Sequence, residues 1–144
     1  MSEMIEIKII LNHDELDWLD YGNGFCSQED MPRKDYDDIA WSIKEKLKVS
    51  YTKEAKLKNE YKLQLSTQEI KEIQQILVDE ILEFHRYELE KPNDDPTKNL
   101  EPNGLHLTNS ILKKLGKPIL TIESINKTIE QSKDKDFYIY DYKF

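Results

Sequence analysis

Four consecutive residues, Ser66-Thr67-Gln68-Glu69, form a capping box, and apolar residues at helical spacing follow them. In such a box the N-cap hydroxyl and the carboxylate three residues on satisfy the exposed backbone donors of a helix start from both directions. Ile70, Ile73, Leu77, Ile81 and Phe84 then recur every three or four residues to about Tyr87. At about 100° per residue, Ile76, Val78 and Leu82 widen the apolar arc beyond half the circumference. Glu72, Asp79 and Glu83 mark a narrow acidic stripe, while Glu80 intrudes on the apolar arc. A helix of this kind must be covered on more than one side, so residues 66–88 are expected at the centre of the fold.

Strands are predicted on either side of it in sequence. Residues 4–11 alternate, with Ile5, Ile7, Ile9 and Leu11 on one face and Glu6, Lys8, Met4 and Ile10 on the other. The last eight residues alternate as well, Tyr138, Tyr140, Tyr142 and Phe144 opposing Phe137, Ile139, Asp141 and Lys143. A third strand is expected over Glu60–Leu65. Pairing of the two chain ends would close a small sheet.

Four further helices and one long loop complete the outline. One helix spans Asn12–Tyr21, capped by Asn12 with Glu15 and stopped by Gly22; another runs from an Asp35 cap to Lys48, with Tyr36, Ile39, Ala40, Ile43 and Leu47 on one arc. Helices over Thr108–Leu115 and Thr121–Gln131 follow a Pro-, Asn- and Asp-rich loop at 91–104. The 144 residues suit a single domain. The expected class is α+β: a small, mainly antiparallel sheet including both terminal strands, packed on about four helices with 66–88 central.

Several functions are disfavoured by composition and motif. A net charge of −8 argues against a general affinity for nucleic acid, which clustered Lys and Arg would drive. One cysteine, Cys26, provides neither an internal disulfide nor a zinc knuckle, and acids near it oppose a reactive thiolate. Glu3 and Glu6 stand where a signal peptide would be basic, and no apolar run approaches the roughly 20 residues of a membrane span, so a cytoplasmic location is expected. His13, His85 and His106 stand far apart without metal-ligand spacing, and no metal or other cofactor is expected. His85 falls in the apolar arc of the long helix, where a hydrogen-bonded structural role is the default.

Acid-x-Lys pairs of the nuclease type occur at Glu6/Lys8, Glu54/Lys56, Glu60/Lys62, Glu69/Lys71 and Asp141/Lys143. That is close to the chance expectation of about four in so charged a chain. Glu60/Lys62, at the start of a strand, is the pair best placed for a metal-dependent nuclease. Residues 107–131 suggest a helix-turn-helix around Gly116, with the terminal strand as a wing. Glu123 and Glu130 on its second helix, and the bulky Leu112, speak against DNA.

Charge is distributed unevenly. Residues 1–40 carry a net −8, the whole of the protein's charge, while 41–66 are basic. Helical phase places Asp14, Asp17, Trp18 and Tyr21 opposite Leu16 and Leu19. It sets Trp41 about 140° from the apolar stripe of its helix, among Asp37, Asp38, Lys44, Glu45 and Lys48. Aromatics projecting among acids would supply anchor and steering for a basic partner, whereas helices sandwiched on a second face would bury them. The expected function is therefore a non-enzymatic acidic inhibitor that covers a basic surface of a larger protein, nucleic-acid-binding surfaces included. Its expected contacts are Asp14, Asp17, Trp18, Asp20, Tyr21, Asp37, Asp38 and Trp41. In size, charge and lack of a catalytic signature the chain is similar in kind to anti-CRISPRs, immunity proteins and antitoxins, with no shared motif. A helix-turn-helix regulator is the alternative and a metal nuclease the third.

Overall fold

A computed structural model describes residues 6–89 and 104–132. Among them the chain is mixed helix and strand, about 66% helical, with six α-helices and one two-stranded antiparallel sheet. The order is β1 (Glu6–Leu11), α1 (His13–Asp17), α2 (Asp38–Ser50), α3 (Lys53–Lys58), β2 (Tyr61–Ser66), α4 (Thr67–Leu89), α5 (Leu105–Lys114) and α6 (Ile122–Ser132). The expected C-terminal strand and nearly all of the 91–104 loop lie outside the described residues.

Strand β1 pairs with β2 in the register Glu6↔Ser66 to Leu11↔Tyr61. Alternation puts Ile9, Leu11, Tyr61, Leu63 and Leu65 into the core, while Lys8, Ile10, Lys62 and Gln64 face outward. Ile7, expected with the core set, is 42% exposed. Long helix α4 packs against α2, β2, α5 and α6, burying Ile70, Ile73, Leu77, Val78, Ile81 and Leu82. His85 on the same helix is fully buried, its Nε2 2.8 Å from Asn126 Oδ1 on α6.

Both strands lead into helices through one repeated device. The runs Lys8-Ile9-Ile10-Leu11-Asn12 with Glu15-Leu16, and Lys62-Leu63-Gln64-Leu65-Ser66 with Glu69-Ile70, share the order apolar strand, cap, N3 glutamate. Asn12 and Glu15 form a reciprocal capping box, and so do Ser66 and Glu69. Each glutamate is then buried by a second helix carrying Ser and Lys one turn apart. Ser110 and Lys114 of α5 donate to Glu15, Lys114 Nζ at 2.5 Å. Ser42 and Lys46 of α2 donate to Glu69 at 2.6 and 2.5 Å. Each lysine also donates to the strand carbonyl two residues before the cap, Lys114 to Ile10 at 2.8 Å and Lys46 to Gln64 at 2.7 Å. Burial pushes both carboxyls up, but these hydrogen bonds outweigh it and hold Glu15 and Glu69 below their ordinary value.

Two expected helix starts move. Helix α2 is capped by Asp37 rather than Asp35, because Arg33–Asp35 forms a separate 3₁₀ turn after Pro32. Helix α5 starts three residues earlier than expected, at Leu105, whose side chain is buried; Gly104 at φ 100° makes the turn into it. Helix α3 has no counterpart in the sequence outline. It is short, and it buries only Ala55.

Candidate functional site

The acidic N-terminal quarter is built on α1. Three residues apart, Asp14 and Asp17 share one exposed side of that helix. The chain then continues as a single π turn, Trp18–Gly22. Trp18 itself keeps right-handed helical geometry (φ −62°, ψ −48°), so its ring stays on the side of Asp14 and Asp17, as helical phase predicts. The indole nevertheless does not project freely, because α5 packs over that face. It is half-buried against the core, and its Nε1 donates to Thr108 Oγ1 of α5 at 2.8 Å. Gly22 and Gly104 press on the ring so closely that a Cβ at either would overlap indole carbons.

Between these parts lies a cleft of about 190 Å³ lined by Asp14, Asp17, Trp18, Gly22 and Leu107. Neither carboxylate has a hydrogen-bond or ion-pair partner among the described residues. Tyr21, 41% exposed, follows on the same turn. Burial raises the pKa of its phenol first; the nearby carboxylates Asp20, Glu29 and Asp17 raise it further.

Asp20 is a correction. Its side chain is fully buried and cannot meet a partner. Ser27 donates to it from both backbone N–H (2.8 Å) and hydroxyl, and Tyr51 Oη donates at 2.9 Å. Burial and then the hydrogen bond to Asp20 push the Tyr51 phenol far up, so it stays a proton donor to that carboxylate. This cluster pins the 23–27 loop.

Asp37, Asp38 and Trp41 do not line the cleft. Asp37 Oδ1 accepts from Ala40 N–H at 2.8 Å as the α2 cap. Trp41 is half-buried rather than solvent-standing, because the segment preceding α2 folds onto that face. Tyr36 meets its ring edge-on at 5.7 Å, and the Arg33 guanidinium lies 5.2 Å from its centre. Arg33 also pairs with Asp38 at 2.6 Å. Lys44, expected on the polar face, is buried under the same segment and donates to the carbonyls of Phe25, Cys26 and Glu29 at 3.2, 2.7 and 3.0 Å.

Other candidate residues are not drawn into a catalytic arrangement. Burial, then Glu29 and Asp20, raises the Cys26 thiol, leaving it protonated. Exposed Glu60 and Lys62 border a depression with Glu54 and Lys58, which pair with each other at 2.8 Å. Among the described residues no three His, Cys, Asp or Glu side chains cluster to hold a metal. Residues 115–121 connect α5 to α6, a longer link than the three or four residues of a helix-turn-helix. No described helix is long and apolar enough to cross a membrane.

The sequence outline missed the Glu15 and Glu69 ties and the cleft itself. Its available signal was the pair Ser42/Lys46 and Ser110/Lys114, each one helical turn apart on a helix whose partner begins with an N3 glutamate. No family model, curated protein or solved structure matches the chain.

Proposed function

We propose that this protein is a non-enzymatic binding protein, an acidic antagonist that covers a basic surface of a larger protein, nucleic-acid-binding surfaces included. One observation carries the reading: two carboxylates with no partner among the described residues flank a cleft lined by a half-buried, hydrogen-bonded indole. Carboxylates alone would be an ordinary solvated face. With a pre-positioned aromatic they provide both the apolar anchor and the steering field that protein interfaces use. Asp14, Asp17, Trp18 and Tyr21 form the contact set. Asp37, Asp38 and Trp41 act at most at its margin, since their hydrogen bonds, ion pair and ring contacts are already made within the chain.

The test compares wild-type protein with Asp14→Lys/Asp17→Lys as bait in lysate of the native host, at about 50 mM and about 300 mM salt. The expected result is a protein retained by the wild type at low salt, lost from the charge-reversed bait, and displaced when its own polyanionic ligand is added. Equal retention by both baits, or capture of acidic proteins only, overturns the reading.

A further inference from the structure

We infer that the cleft between α1 and α5 receives one arginine side chain of the partner, its guanidinium lying on Trp18 and its N–H groups reaching Asp14 and Asp17. This deepens the proposed function and rests on it. At about 190 Å³ the cleft falls well below the 300–1,000 Å³ of small-molecule sites, and its size suits a single side chain. Its chemistry is that of a cation receptor: the accessible part of the Trp18 ring, two carboxylates without a cation among the described residues, and the apolar flank of Leu107 for an alkyl stem.

The molecule already contains the occupied version of such a receptor. On the outer side of α2, Arg33 lies 5.2 Å from the centre of the Trp41 ring while its guanidinium pairs with Asp38 at 2.6 Å. Tryptophan, aspartate and arginine are assembled there within one chain. At Trp18 the tryptophan and the aspartates stand without an arginine among the described residues, and a partner's arginine would complete the set. Arginine fits better than lysine because a planar guanidinium stacks on a ring and still presents in-plane donors to two separated carboxylates.

The indole is also prepared for the task. Thr108 fixes its Nε1, and Gly22 and Gly104 hold its position, so little side-chain freedom is lost on binding. Asp14 and Asp17, three residues apart on α1, are placed by the Asn12–Glu15 cap rather than by a mobile loop.

The experiment uses the full chain and the probe N-acetyl-arginine amide, followed by the Trp18 indole N–H and the amides of Asp14, Asp17, Gly22 and Leu107 in ¹⁵N correlation spectra. Saturable shifts confined to these groups are expected, with affinity for N-acetyl-lysine amide several-fold weaker and no binding of the citrulline analogue. Asp14→Asn/Asp17→Asn should weaken binding about tenfold. Glu83→Gln/Glu123→Gln, which removes equal charge from exposed positions on α4 and α6, should leave it unchanged.

Shifts that do not saturate, that appear equally with citrulline, or that fall equally in both double variants overturn the inference. Lysine binding as tight as arginine overturns the guanidinium assignment. A charge-sensitive protein partner that binds without perturbing the Trp18 indole overturns the cleft while leaving the proposed function standing. Saturable arginine binding in the cleft supports the inference even where lysate capture fails, so the two failures are distinguishable.

Discussion

Glu15 and Glu69 each serve two structures at once, closing the cap of their own helix and accepting Ser and Lys from another. Removing the charge while keeping the shape isolates the ionic part. Glu69→Gln is expected to destabilise the fold by about 2 kcal/mol at neutral pH, measured by urea unfolding, because a nearly buried carboxylate holding charged and hydroxyl donors is lost. The pH sign follows from the direction of the shift. A carboxyl held below its ordinary value of 4.5 contributes stability that is present above that value and disappears as pH falls through the folded-state value. The wild-type advantage over Glu69→Gln should therefore be full at pH 6 to 7 and shrink below about 4.5; an advantage that persists unchanged to low pH contradicts the ionic account. Gly104→Ala tests the other kind of residue constraint. Its new Cβ would strike the Trp18 ring from a backbone at φ 100°, so a loss of about 2–3 kcal/mol is expected, with a shifted Trp18 indole resonance. Both caps could be read from the sequence because N-cap and N3 are local. Their Ser and Lys donors could not be, since pairing Glu15 with Lys114 depends on which helices end up adjacent.

At the level of elements, periodic signals located what is regular and failed where regularity breaks. Helix α4 and both strands emerge close to their expected limits, because repeated apolar spacing over many residues outweighs any single exception. Helix α3 carries no such signal: Ala55 is its one buried residue, and Leu57 stands 79% exposed. At Trp18 the phase was sound, and what no local pattern announces is that α5 packs over that face. On α2 the phase was sound, but the covering segment was not visible. Lys44 shows why, since a lysine on a polar face reads as solvated until three carbonyls are found around it. Lys44→Met tests that covering directly. The stem can stay packed while the carbonyls of Phe25, Cys26 and Glu29 lose their donor, so amide exchange at 25–29 should accelerate at least tenfold, with α4 little changed. Equal acceleration in both regions would mean that Lys44 supports the whole fold rather than the loop.

Across the whole molecule, the distribution of charge is the property most completely legible in sequence, and burial decides which part of it is usable. Of the acids in the first 40 residues, Glu15 and Asp20 are consumed by the core and Asp37 and Asp38 by a cap and an ion pair. Asp14 and Asp17, like Glu29, Asp30 and Asp35, have no side-chain partner among the described residues, and these two stand side by side against an indole in a protein of net charge −8. Asp17 stands three residues before buried Asp20 on one continuous helical run, and like charges at that spacing repel. A residue retained only for folding would not be placed there. Asp17→Asn is therefore expected to raise stability slightly, by about 0.3–0.5 kcal/mol in low salt, with the gain fading as salt rises. The same substitution should slow association with a basic partner, so stability and binding move in opposite directions, as they do where a site is kept at the expense of the fold. Thermal unfolding of the two proteins at low and high salt checks the first half without any partner in hand. Destabilisation by Asp17→Asn would make this carboxylate a structural group, and the uncompensated charge of the cleft would then no longer point to a partner.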